Sequence, residues 1–165
     1  MTTLLLILVA ALLLLCAPTM TNLTAATPRQ YRGPDKRTIS TIDAGTGVPL
    51  YAGAMVEEDS NGQAQNLTAA GTTFVGVALM SATAQGDRME IADRVEVLLT
   101  IAKGSAISRT DVGATVYAGD GGSDFNLTST SRQAIGKVAE VPISSVGSNT
   151  APMWVYIEGQ SKRSI

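Results

Sequence analysis

The chain has 165 residues, enough for one ordinary domain with a real core, and a formal net charge of −2. It has no histidine and one cysteine, Cys16, so the commonest general base, the commonest metal ligand and an internal disulfide are all missing. Aromatic residues make up 4% of the chain and charged residues 16%. The interior must therefore be built from Val, Ile, Leu, Ala and Met, and no basic stripe interleaved with aromatics marks a nucleic-acid surface.

Residues 1–19 form a hydrophobic leader. Residues 4–17 are an unbroken apolar run, too short to span a bilayer as a helix but matching a signal-peptide core in length. No basic residue precedes Arg29, so the positive region of an export signal is absent, and bulky Leu15 before Cys16 does not suit a lipoprotein. Three readings stand open: translation starting at Met20, an export signal, and a membrane or lipid anchor.

Residues 20–47 are rich in Thr, Pro and Gly and lack periodicity, which predicts an extended arm ordered by laying itself on a partner. Arg29, Arg32, Lys36 and Arg37 against Asp35 make residues 29–37 locally +3, whereas residues 38–161 carry 6 basic and 13 acidic residues. A basic arm on an acidic body reads as an extension suited to an acidic surface.

From residue 48 to 159 short apolar runs alternate with turn signals, and residues 160–165 form a tail. Ala54-Met55-Val56 leads through acidic residues to Asn61-Gly62, a strong hairpin signal. Thr72–Met80 reads as a buried strand with Gly76 at a bulge or close approach. Met89 and Ile91 alternate with charged neighbours, and Val95–Ile101 is the strongest strand. Thr115–Tyr117, Ala134–Val141 and Met153–Ile157 complete the set. A single helical turn is expected near Thr110-Asp111-Val112, and Gly119–Asp124 as a loop. The class is all-β, of barrel or sandwich type. In the last strand Trp154 and Tyr156 share one face and Met153, Val155 and Ile157 the other. Both faces are apolar, so core packing or a neighbouring subunit must cover them, which makes Trp154 and Tyr156 candidate subunit-interface residues.

Catalytic signals are weak. Lys103-Gly104-Ser105 offers a Ser–Lys pair with no oxyanion-hole motif, and a polar strand end explains it. Glu57, Glu58, Asp59 and Asn61, or Asp120 and Asp124, have calcium-type oxygens without the spacing of a calcium loop. Gly119-Asp120-Gly121-Gly122 lacks the lysine and helix of a phosphate loop. The Asn-Leu-Thr triplets at Asn22, Asn66 and Asn126 match a glycosylation acceptor, but turn initiation accounts for them. No cofactor, metal or small-molecule substrate is expected.

An internal echo runs through the β region. Asn66-Leu67-Thr68 precedes Val75-Gly76-Val77, and Asn126-Leu127-Thr128 precedes Ile135-Gly136-Lys137, with the glycine ten residues after the asparagine both times. Tyr51-Ala52-Gly53 and Tyr117-Ala118-Gly119 precede the two copies. A short β unit is thus expected twice, which favours a built surface over an active site.

Several short motifs in fixed order carry a likeness. They are Met20-Thr21-Asn22-Leu23-Thr24-Ala25-Ala26, the Pro-containing basic arm, Leu50–Val56, Phe74–Ala78, Asp111–Ala118, Ile135–Val138 and Trp154–Ile157. Together they span roughly residues 20–159 and resemble the head decoration, or cement, proteins of tailed bacteriophages. The resemblance implies a small β-barrel or β-tulip-like body with an extended N-terminal arm. It implies a structural virion protein on the outer capsid surface, stabilising the expanded head, commonly as a homotrimer with the major capsid protein as partner. The arm residues it points to are Thr24, Pro28, Arg29, Tyr31, Arg32, Lys36 and Arg37. It places the natural start at Met20, from which the leader departs. No nucleic acid is implied, and a membrane enters only if the leader is genuine. The competing class is an exported or lipid-anchored bacterial β-domain binding protein; a hydrolase is remote.

Overall fold

The computed structural model describes residues 23, 25–32, 39–71, 73–130 and 132–159. Its regular structure is nearly all β, and the strands fall into two sheets that follow one another along the chain.

The first sheet comprises β2 (Ile39–Asp43), β3 (Met55–Glu58), β4 (Ala64–Asn66), β5 (Phe74–Ala78) and β6 (Arg88–Ala92), after the two-residue β1 (Tyr31–Arg32). Its spatial order is β2-β6-β5-β3-β4, all antiparallel. A parallel bridge between Ala44 and Ala64 brings its two edges together. The hairpin expected at Asn61-Gly62 joins β3 to β4: Gly62 adopts φ +76, and Asp59 Oδ1 accepts the Asn61 and Gln63 amides at 2.8 Å.

The second sheet comprises β7 (Glu96–Ala102), β8 (Thr115–Ala118), β9 (Phe125–Asn126), β10 (Gln133–Glu140) and β11 (Thr150–Ile157). With β1 added at its edge the order is β1-β7-β11-β10-β8-β9, and β9 pairs parallel with β7 at Ile101 and Ala102, so that β7 to β11 close a five-stranded barrel. Pro152 is tolerated inside β11 because only β7 pairs it there. Its carbonyl, and hence its missing N–H, point the other way, where Ser145 Oγ donates to that carbonyl at 2.6 Å.

The two sheets have the same wiring. Each strand of the first has its counterpart five strands later, down to the parallel closing contact. Registers agree in detail. Gly76 opposes Val56 beside a bulge, and Gly136 opposes Val116 beside a bulge. Each is a close-approach point: an added Cβ would lie 2.3 Å from the Ala92 carbonyl oxygen at Gly76 and 2.1 Å from that of Tyr156 at Gly136. Ile42 and Leu99, Met89 and Met153, Ile91 and Val155, Val75 and Ile135 are matched pairs by register, and all eight are buried. The matching residues of the first sheet form one apolar cluster, and those of the second lie in a larger one.

The duplication expected from the echo is therefore architectural, with two corrections. The asparagines are one position out of step, because Asn126 faces Tyr117 whereas Glu57, the counterpart of Tyr117, faces Gln65 and not Asn66. Tyr51-Ala52-Gly53 lies before β3, whereas Tyr117-Ala118 lies within β8 and Gly119 follows it, so the tripeptides are not equivalent. The true counterpart of Tyr117 is Glu57, each standing across the bulge from β5 or β10.

The contact between the two units is one-sided. Met55, Phe74, Val77 and Ala92, from the first unit, join the second unit's apolar cluster. Gly121 N donates to Leu67 O at 2.8 Å, and the place of a Gly122 side chain lies 2.6 Å from Met55 Cβ.

The expected boundary at residue 48 moves. Ile39–Asp43 pairs with β6 along its whole length and is a wall of the first unit. Its polar composition hid it, yet Ile42 is buried between exposed Asp43 and half-buried Thr41, the alternation of a half-covered strand.

Candidate functional site

The predicted arm is the candidate site, and residues 25–32 lie against the chain's own body as a strap. Thr27 N donates to Ala52 O at 3.0 Å, Leu98 N donates to Gln30 O at 3.0 Å, and β1 pairs antiparallel with the start of β7. The edge of β7 explains this position. β9 covers that edge only at Ile101 and Ala102, and β1 takes it at Glu96 and Val97. The strap thus completes a seam that the barrel leaves open.

Arg29 and Tyr31 point toward the body, and Tyr31 packs on the second unit's core. The Arg29 guanidinium lies 5.3 Å from the Phe125 ring centroid, and its Nε donates to Gly53 O at 3.1 Å. Burial lowers its pKa, partly opposed by Tyr31. Arg32 points outward. It stacks 4.2 Å from the Trp154 ring, pairs with Glu96 at 2.6 Å and also pairs with Glu140. What burial it has would lower its pKa; the hydrogen bonds it donates to Glu96 and Glu140, with their negative charges, outweigh that and raise it. Pro28 is exposed.

Arg29 and Arg32, expected as docking charges, are thus engaged within the chain. Thr24, Lys36 and Arg37 lie outside the described residues. Trp154 and Tyr156 are half-buried on the outer wall of the second barrel, while Met153, Val155 and Ile157 are fully buried inside it. Arg32 lies over the Trp154 ring.

The remaining candidates resolve into structural roles. Lys103 Nζ reaches both Asp111 oxygens, at 2.7 and 2.9 Å, and the Ala106 carbonyl, while Asp111 accepts the Ser108 amide. This pins a 3-10 turn, Arg109–Asp111, where a helical turn is expected near Thr110. Burial alone would raise the Asp111 pKa; Lys103 and the Ser108 amide outweigh it and lower it. Asp124 pairs with Arg132 at 2.6 Å. Asn126 Oδ1 accepts from the Thr128 amide and hydroxyl, the turn read into its triplet. Gly119–Asp124 contains a short 3-10 turn, Asp120–Gly122, made by Gly121 and Gly122 at positive φ. Among the described residues no group of three His, Cys, Asp or Glu side chains could hold a metal, and no helix is long and apolar enough to cross a membrane.

Sequence reasoning missed a pair of buried polar side chains where the units meet, Glu57 and Gln133, each with one oxygen lacking a hydrogen-bond partner. Glu57 of β3 accepts from Gln65 Nε2 at 2.8 Å and Thr68 Oγ1 at 3.0 Å. Its other oxygen and Gln133 Oε1 of β10 both crowd the space above Gly71, 1.6 and 2.8 Å from where a Cβ would stand. No family model and no curated protein matches the chain.

Proposed function

We propose that this is a structural protein of a tailed-phage virion that binds the outer capsid surface, as a homotrimer on the major capsid protein, and stabilises the expanded head. The observation that carries the reading is where the likeness falls in the fold. The motifs Phe74–Ala78, Asp111–Ala118, Ile135–Val138 and Trp154–Ile157 lie on β5, β8, β10 and β11, the walls of a closed, rigid body. Cementing asks for such a body and a docking segment, and no bond-making chemistry. Repetition over many identical capsid sites, and several arms per oligomer, multiply modest contacts.

The fold changes which arm residues the reading relies on. Because Arg29 and Arg32 hold the strap to the barrel, docking falls to Lys36 and Arg37 and to the segment before residue 25. Lys36→Ala with Arg37→Ala is expected to leave thermal stability unchanged while weakening cosedimentation with expanded heads, most strongly at low salt. Arg29→Ala is expected to lower stability first. Heads that bind the double variant as well as wild type at every ionic strength would remove the basic segment from the mechanism. Recovery of the protein from periplasm or membrane, and never from particles, would favour the exported-domain alternative.

A further inference from the structure

Two turns of the chain match in their bonding, and only one of them is covered. Val56 and Val116 are counterparts by register, opposite Gly76 and Gly136. Tyr51-Ala52-Gly53-Ala54, leading into β3, therefore corresponds to Asp111-Val112-Gly113-Ala114, leading into β8. Ala54 N donates to Tyr51 O, and Ala114 N to Asp111 O, both at 3.0 Å. Gly53 N donates to Ala78 O, and Gly113 N to Val138 O, both at 2.8 Å. Gly53 and Gly113 both hold φ +86.

The first turn is the seat of the strap. Ala52 O accepts the Thr27 amide, Gly53 O accepts Arg29 Nε, and Gly53 is buried beneath Thr27. The second turn is bare. Val112 is 52% exposed, Gly113 is exposed, and a Cβ added to Gly113 has nothing within 4 Å. Among the described residues no group donates to Val112 O or Gly113 O. The neighbouring β10–β11 turn, tied to Ile107 through Gly147 N at 2.8 Å, carries Ile143, 77% exposed, and Val146, 46% exposed.

We propose that the Val112–Gly113 turn is a second strap seat, which takes an extended, arginine-bearing segment of another protein. The segment presents a backbone N–H to Val112 O. Two residues later its arginine donates Nε to Gly113 O, as Thr27 and Arg29 do at the first seat. Ile143 and Val146 offer it apolar contact. A second copy of the chain is a poor source, because each chain has two seats and one strap, and that strap already fills its own seat. Charge favours a basic segment, since residues 38–161 carry 6 basic and 13 acidic residues. The inference stands on the matched turns and not on the capsid reading.

The test is an NMR titration of the isotope-labelled full-length protein with a synthetic peptide of residues 25–32. Tethering keeps the chain's own strap on its seat, so added peptide at about 1 mM reads the bare one. Saturable shifts are expected at Val112, Gly113 and Ile143, with Gly53 unmoved. Peptide N-methylated at Thr27, which lacks the donor for Val112 O, is expected to bind about tenfold more weakly, as is the Arg29→Ala peptide. Gly113→Ala places its Cβ in open space in the free protein but in the path of the bound segment. It is expected to keep a native spectrum and lose the shifts. No saturable shifts, shifts at Gly53 alone, full affinity of the N-methylated peptide, or undiminished binding to folded Gly113→Ala would each overturn the proposal. Concentration-dependent shifts at Gly113 in the protein alone would give the seat to a second copy, and would overturn it too.

Discussion

Gly53 shows how one residue seats a whole segment. It sits at φ +86, and a Cβ there would lie 2.2 Å from the Thr27 carbonyl oxygen. The strap passes directly over it, and Arg29 bonds its carbonyl. Gly53→Ala adds both backbone strain and a clash, so we expect a loss on the order of 2 kcal/mol in denaturant unfolding, with new proteolytic cleavage within residues 25–32. Unchanged cleavage would show that the strap does not depend on this crossing. Two acids act in opposite senses. Asp93 is buried, with Oδ1 unpartnered, and burial raises its pKa. Its contribution to stability is therefore greatest below the unfolded carboxylate pKa and is lost as pH rises through the folded value. Asp111, lowered, contributes above the unfolded pKa and loses that contribution as pH falls through the folded value. Asp93→Asn is expected to raise the melting temperature at pH 7 relative to wild type, with the gain shrinking toward pH 3. A gain independent of pH would assign the effect to packing instead.

At the scale of the element, matched strands make matched predictions. Met89 in β6 and Met153 in β11 are both fully buried at equivalent register. Each mutation to Ala is expected to cost about 2–5 kcal/mol in equilibrium unfolding, and the two costs should be comparable. A large cost at one and none at the other would mean that only one unit has a load on its core. The strands legible in the sequence, β5, β7, β10 and β11, are those whose side chains reach a core in long apolar runs. Those missed are short or polar. β1 and β9 have two residues each and exist only because β7 offers an edge, which no local pattern encodes. The ISTID of β2 carries too few apolar residues to stand out from its Thr-rich surroundings. Residues 25–32 are extended, as their composition predicts, but their charges could not reveal that Phe125, Glu96, Glu140 and Trp154 would be waiting on the same chain.

For the whole molecule, the duplication explains why its sequence trace is so faint. Interior positions are apolar in both units, but the outer walls differ, and only one of them is covered within the chain. Met55, Phe74, Val77 and Ala92 became a seat for the second unit, while Thr115, Ala134, Lys137 and Tyr156 turned polar or amphipathic. What survives at matched register includes the glycine at the strand crossing, Gly76 and Gly136, a position set by the close approach of two backbones. The first unit is contiguous in the chain, residues 39–92, and its strands need nothing downstream to pair. During synthesis it can close while the rest is still being made, yet its greasy seat then faces water with no lid. The order of synthesis leaves a brief sticky half-product, and truncation near residue 95 should yield inclusion bodies where the full-length product stays dispersed.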